Sequence, residues 1–461
     1  MACKINQGWM RWTLGSFLLA MLAGSGLRAA DFRAGVDRVD ITPRLPIWMS
    51  GYAARTRPAQ EVIQNLWAKA LVLEDKAGKK VALVAIDLIG LPAEVTRPVA
   101  AEVQKKFGIE RSCLVLNTSH THSGPIVRPN LNVMYDLPAA DAEHAEEYRR
   151  SLVEKLVQVV GGAVESLQPA KLDAGTGSAG FAINRRQATE KGVIIGTNSG
   201  GPSDTTVPVL RVLDRKGQLL AVLFGYACHN TTLGGDSYRI NGDYAGFAQV
   251  EVELKHPGAT ALFFIQCAAD QNPNPRGTLE HVMRYGKELA AAVEKVLEQK
   301  LEPVKGPLRA AYREVPLEFA GHTREQFEKE SQGQDVFRRR RAQLMLAAYD
   351  RGAPVRSVAY PVQAVRLGDR HVLTALAGEV VVDYGLRIRK EFGPQMFLTA
   401  GYCNEVMAYI PSRRILQEGG YEAVDSMIYY GQPGPFQDSV EEAVFGALRQ
   451  VLKEIGTPAA R

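Results

Sequence analysis

Apolar runs of strand length alternate with segments of helical periodicity along most of this chain, and such alternation is satisfied by a sheet with helices packed on it. Lys80 to Ile86 reads as a buried strand, Ala93 to Phe107 as a helix stopped by Gly108, and Cys113 to Leu116 as the next strand, which makes a βαβ unit. A long helix is expected over Asp141 to Leu167. Hairpins are expected over Val209 to Phe224, turning at Asp214-Arg215-Lys216-Gly217, and over Val362 to Leu376, turning at Gly368-Asp369. Tyr244 to Lys255, Leu279 to Leu297 and Ser439 to Ile455 read as helices, Ala261 to Ile265 and Met396 to Thr399 as strands, and Gly378-Glu379 as the opening of a helix. The Gly-, Ser-, Thr- and Asn-rich stretch from Gly196 to Thr206 reads as a loop. The fold class is therefore α/β, a mixed β-sheet core flanked by helices.

Residues 1–29 have the layout of a cleavable export signal: Lys4 and Arg11, an apolar run from Trp12 to about Gly24, then small residues ending Leu27-Arg28-Ala29-Ala30. Cleavage after Ala29 is expected, with a retained anchor as the alternative, and residues 30–461 are expected to form a single domain that is periplasmic or secreted. No later stretch reaches the roughly 18 apolar residues of a membrane span, so contact with a bilayer would be a transient one at its surface. Removing the leader takes away three basic residues and no acidic one, leaving 52 basic against 50 acidic. A surface so close to neutrality argues against nucleic acid as a partner. Arg338 to Arg341 sit in a helix-like segment, Phe337 to Tyr349, and read as its solvated face. The four cysteines beyond the leader, Cys113, Cys228, Cys267 and Cys403, lie in or beside apolar segments and read as buried thiols. Nothing in the sequence fixes an oligomeric state.

Polar residues fitted for catalysis fall where apolar strands end: Asp87 after Ile86, His120 after the strand around Leu116, His229 after Phe224-Gly225-Tyr226-Ala227, and Asp270 after Phe263-Phe264-Ile265. In open α/β sheets that edge is where ligands bind. His120 and His122 are two residues apart, so an extended segment projects both from one face, a spacing that suits a shared metal ion. A His-x-His pair also occurs as a hydrogen-bonded structural pair, and a lone histidine such as His229 as a satisfied core residue. With eight histidines in the whole chain, three at strand ends point to a joint site.

Several short segments, taken in order, resemble the catalytic N-terminal domain of the neutral/alkaline non-lysosomal ceramidases. They are Val36-Asp37-Arg38-Val39-Asp40-Ile41-Thr42-Pro43 with Met49-Ser50-Gly51-Tyr52-Ala53, Thr118-Ser119-His120-Thr121-His122-Ser123-Gly124-Pro125, and Gly242-Asp243-Tyr244-Ala245-Gly246. Ala377-Gly378-Glu379 is similar to the family's Pro-Gly-Glu, and Gly401-Tyr402-Cys403-Asn404 through Ala408-Tyr409 is similar to its Asn-x-Tyr-x-x-Tyr region. The resemblance implies a zinc ion held by His120, His229, Glu379 and Tyr409, with His122 beside it as proton donor or oxyanion partner. Arg185 would match an arginine that contacts the substrate or its developing oxyanion. In the register at Tyr409, Tyr402 is the alternative. The implied activity is hydrolysis of an N-acyl amide in a lipid-like or other small-molecule substrate.

Two departures from the family pattern bear on that expectation. Where the family reads Gly-Asp-x-Ser-Pro-Asn, this chain has Ala269-Asp270-Gln271-Asn272-Pro273-Asn274, so Asn272 stands in place of a serine. An amide side chain is no acyl acceptor, which excludes a covalent route at that position while leaving a hydrogen-bonding role. The family's C-terminal immunoglobulin-like sandwich is not expected after the helix Ser439 to Ile455. Ester or lactone hydrolysis at the same ion, or ligand binding without turnover, are the competing expectations. Asp243 and Asp270 are candidate partners of the metal-binding histidines or caps of the segments that follow them.

Overall fold

The computed structural model describes residues 31–457, so the expected signal at 1–29 lies outside the described residues. A nine-stranded mixed sheet forms the larger half. In spatial order it runs Thr260–Ile265, Leu219–Tyr226, Thr206–Asp214, Gln168–Ser178, Phe32–Asp40, Trp67–Asp75, Lys80–Ile86 and Leu114–Thr118, with Glu302–Pro303 pairing alongside Gln168–Ser178. Its centre is antiparallel, and each end carries one parallel pair: Thr260–Ile265 on Leu219–Tyr226, and Leu114–Thr118 on Lys80–Ile86. The strands of both parallel pairs are buried almost throughout, as continuous Val, Leu, Ile and Phe runs require.

The two ends of this sheet curl round and meet at one buried side chain. Asn117 Oδ1 accepts from the Ile265 backbone N–H at 2.9 Å, and its amide nitrogen donates to the Gly401 carbonyl at 2.8 Å. Isolated bridges, Asn117 with Cys403 and Gln266 with Ala400, fasten the same place to a second, four-stranded sheet. That sheet runs Leu308–Glu318, Ser357–Leu367, His371–Leu376 and Met396–Ala400, its last pair parallel. The largest apolar cluster contains residues of both sheets, among them Leu71, Val84 and Leu116 from the first and Val365, Leu373 and Leu398 from the second. Hence the C-terminal ends of four parallel strands, at Thr118, Tyr226, Ile265 and Ala400, gather around one point. The segments leaving them carry His120, His229, Asp270 and Tyr409.

Most of the elements read from the pattern occur within a few residues of the expected bounds, including helices Ala93–Phe107, Ala139–Glu165, Leu279–Leu297 and Val440–Glu454. Gly378-Glu379 does not open a helix. Glu379–Val380 is a two-residue strand paired in parallel with Tyr409–Ile410, and the helix begins at Val382. The expected loop after Gly196 starts later, because Gly192–Asn198 forms a hairpin with Ala182–Thr189. The basic helix is Val336–Asp350, and Arg341 lies on its inner face, buried against Glu330 at 2.5 Å, while Arg338 and Arg340 pair with Asp425 and Asp136. The four cysteines among the described residues are free and buried. No helix among the described residues is long and apolar enough to cross a membrane.

The long helix Ala139–Glu165 lies close on the first strand of the sheet because Gly35 has no side chain. A Cβ there would meet the Ala163 carbonyl and come within 2.8 Å of the Leu167 nitrogen, both rigid backbone. Gly35→Ala is therefore expected to lower the unfolding free energy by about 1–3 kcal/mol, read as a lower denaturant midpoint at unchanged slope.

Candidate metal centre

The two histidine loops are stitched to each other before any side chain is considered. Thr121 and Asn230 form a parallel bridge, the His122 N–H donates to the Asn230 carbonyl at 3.1 Å, and the Asn230 amide reaches the Ser119 carbonyl at 2.5 Å. His120 sits at the turn with φ 60°, in the left-handed region. His120 and His122 therefore do not converge by the alternation of an extended strand. The sharp turn at His120 brings the two rings to a centroid separation of 4.8 Å, with their Nε2 atoms 3.1 Å apart. Gly51, from the Met49-Ser50-Gly51-Tyr52-Ala53 segment, passes so near the His122 ring that a Cβ there would overlap it.

Backbone carbonyls fix which ring nitrogen carries the proton. His120 Nδ1 lies 2.5 Å from the Ile89 carbonyl and His229 Nδ1 lies 2.8 Å from the Ala268 carbonyl. A carbonyl only accepts, so both Nδ1 atoms are donors and both Nε2 lone pairs face inward. There they meet Glu379 Oε2, at 3.1 Å from His120 Nε2 and 3.2 Å from His229 Nε2. Burial, reinforced by the charge of Arg185, holds the His229 imidazole down to about 4, which keeps it neutral at pH 7. Two nitrogen lone pairs and a carboxylate oxygen thus converge in a buried interior, and Glu379 Oε2 has no hydrogen-bond donor among the described residues. Such a convergence repels unless a cation occupies its centre.

The spacing fits a small divalent ion. Donors about 2.0–2.1 Å from a tetrahedral ion lie about 3.3 Å from one another, and Tyr409 Oη extends the set at 3.4 Å from His229 Nε2. Pairing of Glu379 with Tyr409 across the two short strands puts both side chains on one face of that ladder. Gly378 allows the strands to approach, since its φ is 71° and a Cβ would come within 2.8 Å of the Ala408 carbonyl. Tyr402 takes a different place: its ring packs on His120 with centroids 4.4 Å apart, and its buried hydroxyl has no hydrogen-bond partner among the described residues. The three histidines by themselves have ring nitrogens within 4.8 Å of one another and could hold a metal ion.

Arg185 approaches this cluster from the hairpin, where the register slips between Asn184 and Arg186. The irregularity aims a strand side chain off the regular alternation. Its Nη2 donates to Tyr409 Oη at 3.0 Å, and its Nη1 lies 3.4 Å from both His229 Nε2 and Asn272 Oδ1. Burial works against the charge of this guanidinium, but Tyr409 and Glu422 outweigh it and hold its pKa well above the usual value. Asn272 Oδ1 also accepts from Thr231 Oγ1 at 3.3 Å. His122 is the least enclosed of the three histidines, and burial together with its histidine neighbours keeps its ring neutral. All seven residues singled out from the sequence, His120, His122, Arg185, His229, Asn272, Glu379 and Tyr409, fall in this one cluster.

Sequence reading missed the residues behind them. Tyr430 donates to Glu379 Oε1 at 2.6 Å, and Glu422 binds Arg185 Nε at 2.8 Å. Both lie in a C-terminal stretch whose irregular backbone carries no periodic signal. Neither aspartate considered as a histidine partner takes that place: Asp243 accepts from the Leu233 and Tyr244 N–H groups, and the strand-end residue Asp87 accepts from Trp67 and Gln249. Asp270 takes the Val382 N–H at 2.7 Å and the Asn184 amide at 3.0 Å, tying the arginine hairpin to the helix that follows Glu379.

A sequence profile described as neutral/alkaline non-lysosomal ceramidase, N-terminal, matches residues 32–279. The chain belongs to this ceramidase family. Its curated relatives include the neutral ceramidase of Pseudomonas aeruginosa, 26% identical over 271 residues, and that of Drosophila melanogaster, 24% identical over 278. Those alignments take in 57% and 56% of this chain and only 40% and 39% of the two relatives. The crystal structure of the Pseudomonas aeruginosa neutral ceramidase superimposes with a TM-score of 0.73 at 20% identity, covering 93% of this chain and 75% of that one. A structure described as ceramidase complexed with C2 gives 0.71 at 18% identity. The α/β fold is thus that of the neutral ceramidases. The profile match includes His120, His122, Arg185, His229 and Asn272, whereas Glu379 and Tyr409 lie beyond it and enter through the geometry above.

Burial pushes the Asp270 carboxyl up to about 6. A carboxyl raised on folding contributes most below its unfolded pKa near 4, and that contribution is lost as the pH rises through about 6. Between those limits the unfolding free energy of Asp270→Asn should gain on the wild type by up to about 3 kcal/mol, a difference that denaturant titrations at pH 4 and pH 7 would measure.

Proposed function

We propose that this chain is an exported zinc hydrolase that cleaves the amide bond of a ceramide-like lipid or a related N-acyl compound. The observation that carries the reading is the convergence of His120 Nε2, His229 Nε2 and Glu379 Oε2 within 3.1–3.2 Å, next to the buried Arg185 guanidinium. Its relatives are named neutral ceramidases, which favours an amide over other acyl bonds. The charge layout of the leader favours export.

His120, His229, Glu379 and Tyr409 would hold the ion. When bound, zinc supplies Lewis acidity, polarising a carbonyl and bringing water to a reactive state near neutral pH. The protein does the rest. Arg185 Nη1 and Nη2, fixed in the interior, present positive charge to an oxygen that gains negative charge as the amide carbon becomes tetrahedral. Asn272 uses its Oδ1 as an acceptor for Arg185 and Thr231, which leaves its amide N–H groups to orient the substrate. His122 Nε2 faces the cluster with its ring neutral, so it can take a proton during attack and return it to the leaving nitrogen.

A panel of N-acyl amides, esters and lactones, assayed with and without a chelator, tests this reading. Amide hydrolysis that stops on chelation and returns with zinc is expected. His122→Ala should keep its metal and lose about 100-fold or more in kcat. Turnover of esters alone, or chelator-insensitive turnover, would contradict the proposal.

A further inference from the structure

Two irregularities of the backbone, far apart in sequence, meet at one ion pair beside the metal centre. One is the register slip that turns Arg185 inward; the other is a π-helical turn, Tyr421–Asp425, that carries Glu422. π-turns are uncommon and recur at functional sites. This one follows Gly419 and Gly420, with φ 72° and 82°, and a Cβ on Gly420 would come within 2.9 Å of the Val193 carbonyl on the same hairpin. The turn is thus pressed against the strand that pairs with the one bearing Arg185.

Glu422 is 1% exposed and divides its carboxylate between two guanidinium groups: Oε1 to Arg185 Nε at 2.8 Å, Oε2 to Arg186 Nη1 at 2.5 Å. Arg186 is held further by Glu418 at 3.1 Å and by the Gly419 carbonyl at 2.9 Å. Gripping Arg185 by Nε engages the inner edge of its fork and leaves both terminal nitrogens toward Tyr409, His229 and Asn272. Without that grip, a buried guanidinium next to a site that takes a dication would be driven away by like charge. Removing one partner of a buried pair exposes that cost in full.

We propose that Glu422 is a positioning residue, which sets the terminal nitrogens of Arg185 toward the reacting carbonyl oxygen and keeps them there against the charge of the bound ion. The inference rests on the reading of Arg185 as the group that faces that oxygen. Glu422 itself touches no reacting atom, so its effect must pass through Arg185.

A double-mutant cycle on the zinc-loaded full chain separates this role from a purely structural one. Glu422→Gln is expected to lower kcat by about 10- to 100-fold with KM changed less than about 2-fold, and to add less than about 2-fold in an Arg185→Ala background. An equal loss in both backgrounds would overturn the proposal. Should Glu422→Gln not fold, Glu422→Asp keeps the charge and shortens the reach, and is read in the same way. A second readout needs no substrate: hydrogen exchange of the Arg185 Nε–H, followed by ¹⁵N NMR, should be slow in the wild type and fast in the Glu422 variants. Unchanged exchange would refute the positioning role. Fast exchange in chains that hydrolyse no panel substrate would leave it standing and remove only the amidase reading.

Discussion

Two backbone carbonyls, those of Ile89 and Ala268, decide what the centre of this protein can be. By accepting the Nδ1 protons of His120 and His229 they turn both Nε2 lone pairs onto one carboxylate oxygen. Unscreened, this crowd of electron pairs would push apart in so buried an interior; a divalent cation converts the repulsion into binding. Tyr430, donating to the other oxygen of Glu379, keeps the carboxylate turned in the productive sense. In the proposed metal site the donors are thus controlled by groups that would not touch the ion, as metal sites commonly arrange.

The fold exists in a form that makes this possible because the two edges of the large sheet meet at one side chain. Asn117 joins the last strand at one end to the strand at the other, so loops more than a hundred residues apart in sequence meet side by side. The second sheet is fastened at the same point, and the chain leaving its two parallel strands forms the separate two-stranded ladder that presents Glu379 and Tyr409 in register. Arg185 arrives through a bulge and Glu422 through a π-turn. Regular strands fix the distances here, and departures from regularity aim the charged side chains.

That division explains what the sequence disclosed. Periodic elements were legible, since burial of a strand or of one helical stripe writes itself into the order of apolar residues; Leu279–Leu297 is a case with matching bounds. The histidines were legible as residues at strand ends that point to a joint site, and the ligand set that completes it only through the family resemblance. Glu379 misled, because an acidic residue after glycine has the look of a helix start, whereas a two-residue strand has no periodicity to announce it. Tyr430 and Glu422 stayed hidden for the same reason: they act through long-range contacts from irregular backbone, and nothing local marks a phenol or carboxylate that will face a site 50 to 240 residues away. Asp87 and Asp243 had the position of site residues, yet the Asp87 carboxylate is taken by the Trp67 N–H and the Gln249 amide and that of Asp243 by the Leu233 and Tyr244 N–H groups.

The central claim is that this donor set exists to hold one ion, and metal stoichiometry tests it most directly. Chains equilibrated with zinc and freed of excess by gel filtration should carry about one ion each. His229→Ala and Glu379→Gln, each shown to be folded by circular dichroism, should then retain less than about a tenth of that amount. Full occupancy in both variants, or no zinc on the folded wild type, would contradict the account.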